Sequence, residues 1–314
     1  MTDREFSPAC GGQAETVIDD LPLDVLSLVL RRLDGASLAA LGCASSGFHG
    51  LAADADTWRG LCLALWPSVA SVPLEPACCR GGFHRALFAD AFPFPATTPT
   101  PAAPALPSRL VSAVDLHHRG VCIMSRVVDT DASTPWFLGS PFRVDALLQE
   151  GFTAPSQIAP AELALSWVLL DPASGRAVNA SSRRPVSVDR SWLTGETVAR
   201  FTVVLGGGVA LDAAVTCDDR YGHVREVSLC VEDADGGGVS GRDGLAALAA
   251  AMAAPRRGRG AEAEARAARR YAEFVKGKSA RKEWKARREG LVDLCCSGVG
   301  AAAFVGFLVM LTCR

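Results

Sequence analysis

Between Ile18 and Trp66 the chain packs three short amphipathic stretches into about fifty residues, too few to bury a self-sufficient core. A small helical unit with apolar side chains on more than one face needs a partner. Asp19 and Asp20 suit a helix start, with Pro22 near its first turn, where a missing N–H costs nothing. Leu26, Leu30 and Leu33 then recur at i, i+4 and i+7, and Val25 and Val29 broaden the stripe. Arg31 and Arg32 suit a last helical turn, and Gly35 a stop. Ser37 is expected to open a second helix through Leu38 and Leu41. Asp56 or Thr57 should open a third through Trp58, Leu61 and Leu65.

The order of these residues resembles the F-box, the module that docks a substrate receptor onto the Skp1 subunit of a cullin–RING ubiquitin ligase. The matching positions are Leu21-Pro22, then Leu26, Leu30 and Leu33, then Ser37-Leu38, Ala44-Ser45 and Trp58-Arg59. Phe48 stands where tryptophan is commoner, and Ser46-Gly47 replaces the usual basic residue. The resemblance implies that Leu21, Pro22, Leu26, Leu30, Leu33, Leu38, Leu41 and Trp58 supply or support a Skp1-facing apolar surface.

With 314 residues, 49% apolar and 21% charged, the chain has room for more than one folded domain. Its net charge of −2 hides an asymmetry: residues 1–255 carry 18 arginines and no lysine against 28 acids, whereas residues 256–289 carry 13 cations against 5 acids. Eleven cysteines lack metal-ligand spacing, and the polar, acidic residues 1–20 do not read as a secretory signal. Reduced thiols on a cytosolic or nuclear face are expected, which leaves the sequon at Asn179 unglycosylated.

The remaining organisation follows from pattern. Residues 1–16 read as disordered, 17–66 as the F-box, 67–92 as a helical extension and 93–107 as a proline-rich spacer. Residues 108–238 read as a mainly antiparallel β-rich domain. Leu110–Leu116, Val121–Val128 and Leu163–Leu170 fit strands, and Ala199–Leu205 and Val209–Thr216 flank a Gly206-Gly207-Gly208 hairpin turn. The phrases SWVLLDP, RRPVSVDRSW and GSPFRVD resemble blocks of a small subgroup of plant F-box proteins with an F-box, a β-rich region and a C-terminal hydrophobic segment. Arg183, Arg184, Arg190 and Trp192 are candidate substrate-binding residues. The competing reading makes Trp136, Trp167 and Trp192 core and the arginines solvated.

No catalytic or metal constellation emerges. His117 and His118 fall on opposite faces of a strand, and His49, His84 and His223 have no partner at ligand spacing. The chain is expected to act as a non-catalytic adaptor, without cofactor or metal and without a nucleic-acid partner.

Residues 239–289 are expected to be helical, with a basic part partly interrupted at Gly277, and residues 291–313 to form a tail anchor. Leu294 to Cys313 runs about twenty residues without a charge, enough to cross a bilayer. Cations on its N-terminal side keep the bulk in the cytosol, and Cys295 and Cys296 are palmitoylation candidates. Without an anchor, the cytosol or the nucleus is the expected location.

The fold class is therefore α+β multidomain: a three-helix F-box, an antiparallel β-rich domain, a basic helix and a single transmembrane-like helix. The expected function is a substrate receptor at a membrane surface. It would bind a Skp1-like protein, and through it cullin and a RING subunit, and recruit an unidentified protein substrate. The alternative is a membrane-tethered, non-ligase binding protein with a lectin-like β domain.

Overall fold

The computed structural model describes residues 21–73, 82–95, 105–152, 158–218, 223–254 and 261–312. The chain divides into two compact units, residues 1–61 and 62–314. Residues 1–16, the expected cap residues Asp19 and Asp20, and the central part of the proline-rich segment lie outside the described residues.

The first unit contains α1 (Leu23–Leu30), α2 (Gly35–Leu41), α3 (Ser46–Ala52) and the start of α4 (Ala55–Leu65). Four helices replace the expected three, and capping explains the difference. The Asp34 carboxylate accepts the Ser37 N–H at 2.8 Å, so a new helix begins where the apolar period alone would carry α1 through Leu33. The Ser45 hydroxyl accepts the Phe48 N–H at 3.2 Å and opens α3, the added helix. Asp54 accepts the Thr57 N–H at 2.9 Å and opens α4 ahead of the expected Asp56 or Thr57. The Ser37 N–H holds the Asp34 carboxyl below its ordinary pKa, and the Thr57 hydroxyl, with its N–H, does the same for Asp54. Leu26, Leu30, Leu38, Phe48, Ala52 and Trp58 are buried, and the Trp58 indole N–H donates to the Ala52 carbonyl at 2.7 Å.

The second unit is built on two antiparallel sheets. One has the order β2 (Val121–Asp131), β1 (Arg109–His118), β4 (Leu163–Asp171) and β5 (Arg176–Asn179). The other has the order β3 (Arg143–Phe152), β10 (His223–Glu232), β9 (Ala210–Asp218), β7 (Thr197–Arg200) and β6 (Ser187–Arg190), with β8 (Val203–Val204) also paired to β9. The expected glycine hairpin is present between β8 and β9, where Gly207 and Gly208 take positive φ. Inward side chains of both sheets share one core with Trp167, Phe142 and Phe201.

Helices pack around the two sheets. α5 (Phe83–Ala91) buries Leu87 and Phe88, and Asp90 accepts from the Arg176 Nε at 3.0 Å. α6 (Pro135–Gly139) and α7 (Gly241–Ala253) pack together; a Cβ at Gly241 would lie 1.9 Å from the Phe137 carbonyl oxygen. The segment read as an extension of the helical unit thus belongs to the β-rich unit, and Phe94, at the start of the expected spacer, is core.

Asp115 on β1 is wholly buried and accepts from the Ser68 N–H (2.9 Å), the Ser68 hydroxyl (2.6 Å) and the Ser125 hydroxyl (2.7 Å). Desolvation raises its pKa despite these bonds. An acid with a raised folded-state pKa stabilises fully below its ordinary value of 3.8, and that contribution disappears as pH rises through the raised value. Asp115→Asn, which keeps a carbonyl acceptor without the charge, should flatten the loss of stability that sets in above 3.8 and is complete once pH has passed the raised value. Urea melts across this pH range check it, and an unchanged slope refutes it.

The last helix, α8 (Ala261–Thr312), runs 52 residues without a break. The expected interruption at Gly277 is absent: one glycine costs a helix only about 1 kcal/mol, and the helix is fastened on both sides of it. Tyr271 shares a hydrogen bond of 3.2 Å with Ser187, and Lys278 pairs with Glu232 at 2.6 Å. Among the described residues no helix is long and apolar enough to cross a membrane. The side chains of residues 290–303, including Cys295 and Cys296, lie outside the described ones.

Candidate functional site

The first unit carries two apolar faces on one short helix. Leu26 and Leu30, at i and i+4, point into the unit and are 6% and 4% exposed. Around them Leu23 (67%), Val25 (42%), Leu28 (64%) and Val29 (48%) lie open, and Leu21 and Pro22 continue the exposed surface before the helix. Exposed aliphatics so close together on one helix form one contiguous apolar patch rather than scattered surface residues.

The expected Skp1-facing residues therefore separate into two roles. Leu21 and Pro22 are exposed and available for contact; Leu26, Leu30, Leu38 and Trp58 are core, and Leu33 and Leu41 are half-buried supports. Sequence reasoning missed Leu23 and Leu28 and took Val25 and Val29 as a widening of the inner stripe. The available signal was the spacing of Leu21, Val25 and Leu28, a second i, i+4, i+7 series out of phase with the first.

In the second unit the four candidate substrate-binding residues also separate. Arg183 is structural. It holds φ +66, its guanidinium donates to the Phe92 carbonyl oxygen, and its Cζ lies 4.8 Å and 5.1 Å from the Phe92 and Phe94 ring centroids. Glu264 of α8 is 3.8 Å away, and burial pulls the Arg183 pKa down. Arg184 and Arg190 are exposed, and Trp192 is 93% exposed beside Leu193 at 76%. The turn that displays this pair is well fastened: Ser191 N–H donates to Glu196 O at 2.8 Å, Gly195 N–H returns to Ser191 O at 2.9 Å, and Gly195 takes φ +72. Trp136 is 77% exposed as well, whereas Trp167 is core.

Arg183→Ala should destabilise the second unit by about 2 kcal/mol, through lost packing and an unpaired carbonyl, while Arg184→Ala should change stability by less than about 0.5 kcal/mol. Thermal denaturation of the two variants distinguishes them; equal losses would remove the structural role given to Arg183.

Other polar groups serve the fold. His118 is buried and its Nε2 accepts the Ala159 N–H at 3.3 Å. The Asn179 side chain is buried and tied to Ser181 in both directions, so the sequon is not presented. Burial pushes the Cys62 thiol up to about 12, far from a reactive thiolate. Among the described residues no group of three His, Cys, Asp or Glu side chains could hold a metal ion.

The F-box-like family model matches residues 18–64, the helical unit with its two-faced α1. Over 307 residues the chain is 39% identical to the probable F-box protein At2g36090 of Arabidopsis thaliana, covering 94% of this chain and 92% of that protein. The chain belongs to the F-box protein family. It is also 36% identical to F-box protein At2g27310 of Arabidopsis thaliana over 318 residues, covering 92% of this chain and 94% of that protein. A third relative, F-box protein At3g44326 of the same plant, is 33% identical over 345 residues, with 96% and 92% covered. No solved structure gives a significant match. The likeness thus extends well past the F-box into the β-rich unit. There GSPFRVD delivers the buried Phe142 and the Arg143 that pairs with Asp145 and Glu226, both at 2.8 Å. SWVLLDP is the strand β4 with Trp167 at its centre.

Proposed function

We propose that this chain is the substrate-receptor subunit of a Skp1–cullin–F-box ubiquitin ligase, docking a Skp1-like protein through the outer face of α1. The observation that carries this reading is the set of exposed aliphatics Leu21, Leu23, Val25, Leu28 and Val29 on an F-box. The chain contributes no chemistry of its own. It holds a substrate near the ligase's ubiquitin-loaded enzyme, which acts through raised local concentration. The β-rich unit is the substrate-binding part, and its Arg184, Arg190 and Trp192 are the residues assigned to that contact.

The charge-free run Leu294 to Cys313 tethers the protein to a membrane, with Cys295 and Cys296 as sites for a supporting acyl chain. Supporting this are the exposed Phe304, Val305, Val309 and Met310 at the end of α8, which water does not favour.

Co-purification of the intact chain with Skp1, cullin and RING subunits tests the ligase reading, and failure to capture Skp1 would remove its basis. Carbonate washing of membranes carrying the intact chain tests the tether: an anchored chain stays with the lipid.

A further inference from the structure

We propose that the face of α8 formed by Lys282, Lys285 and Arg288 docks on an anionic membrane surface, with Trp284 seated at headgroup level. This rests on the membrane reading above and adds to it a lipid preference and an orientation for the β-rich unit.

The argument begins with what α8 already holds. Lys278 is paired with Glu232 at 2.6 Å, and Arg281 with Asp235 at 2.8 Å and with the Ala234 carbonyl. These two cations fasten the helix to the end of β10 and its following turn. From Lys282 to Glu289 every side chain is exposed, so the cations beyond the clamp lie open to solvent. Trp284, Lys285 and Arg288 follow Arg281 at i+3, i+4 and i+7, and with Lys282, Glu289, Arg281 and Asp235 they line a cavity of about 690 Å³.

Trp284 is 63% exposed, with the Arg288 guanidinium 5.6 Å from its ring centroid. A tryptophan among cations suits the boundary between water and lipid, where its apolar ring and polar N–H are both accommodated. The charge pattern agrees: the 13 cations and 5 acids of residues 256–289 follow a net-acidic body. Basic segments beside an apolar span are attracted to anionic lipid headgroups. A nucleic acid would also attract these cations. The lipid is favoured because α8 continues without a break from Trp284 to Thr312, and the charge-free run begins only about 15 Å farther along its axis. Docking would hold the turn at Asp233–Gly237 near the headgroups and fix how the β-rich unit faces the membrane.

Vesicle co-sedimentation of the full chain is the test, comparing phosphatidylcholine with phosphatidylcholine containing phosphatidylserine. Binding should be at least about tenfold tighter to the anionic vesicles and should fall as salt rises. Lys282→Glu/Lys285→Glu/Arg288→Glu should erase that preference, and Trp284→Ala should weaken binding several-fold, with circular dichroism unchanged in both. Equal binding to both vesicles, or a preference that survives the triple change, overturns the proposal. A chain that resists carbonate without preferring anionic lipid refutes this surface and leaves the anchor standing. A chain that carbonate removes, yet which still needs anionic lipid, does the reverse. Charge-dependent binding to single-stranded RNA without vesicle binding would assign the face to nucleic acid and overturn it.

Discussion

Replacing Leu23 and Leu28 together by alanine should weaken Skp1 capture about a hundredfold or more while leaving the F-box folded. Both side chains are largely exposed, at 67% and 64%, so the free chain loses little packing. In a complex each would be taken out of water, and burying a leucine contributes about 1.5–3 kcal/mol. Truncating two of them removes about 3 kcal/mol, which is about two orders of magnitude in Kd. Alanine also suits a helix interior, so α1 itself should not be weakened. The contrasting variant is Leu26→Ala, which lies between those two positions in α1 but on the inner face. It empties a buried site at a cost of about 2–5 kcal/mol and would disrupt binding by unfolding the unit. Calorimetric titration with Skp1, beside circular dichroism of each variant, distinguishes the two faces. Wild-type affinity in the double variant would place docking on another surface.

The difference between those faces shows what the sequence discloses. The inner series Leu26 and Leu30 was legible because burial imposes a helical period. The outer series was less so, since exposed aliphatics on a short helix resemble a widened core stripe until the fold shows which way they point. Local chemistry likewise overrode the apolar period at Asp34 and Asp54, whose carboxylates start helices that leucine spacing alone does not locate. In the β-rich unit SWVLLDP and the triple glycine were readable because a continuous apolar run and a tight turn are local signals. Arg183 was not. Its partners Phe92, Phe94 and Glu264 are distant in sequence, and a cation flanked by Ser182 and Arg184 reads as surface. Trp192 and Trp167 are both aromatic residues in strand-rich sequence, and only the register of β4 against β1 and β5 separates core from display.

Trp167 supplies the largest expected loss of stability. It is completely buried at the centre of β4, opposite Val114 of β1, and its carbonyl accepts the Ala180 N–H at 2.8 Å. Trp167→Ala leaves a cavity the sheets cannot close, at a cost of about 3–5 kcal/mol. That is a large share of the 5–15 kcal/mol typical of a folded domain. Its indole N–H, however, has no hydrogen-bond partner among the described residues. Trp167→Phe therefore removes a buried donor whose desolvation already costs about 1–3 kcal/mol, and this offsets part of the lost ring volume. The phenylalanine variant should lose less than about 2 kcal/mol, far less than alanine. Urea denaturation checks the order, and equal losses would mean that the N–H is satisfied in solution. Because Trp167 and the α1 docking face belong to separate compact units, Trp167→Ala should abolish substrate recruitment yet retain Skp1 capture. Loss of both would show that the F-box depends on the β-rich unit for its fold.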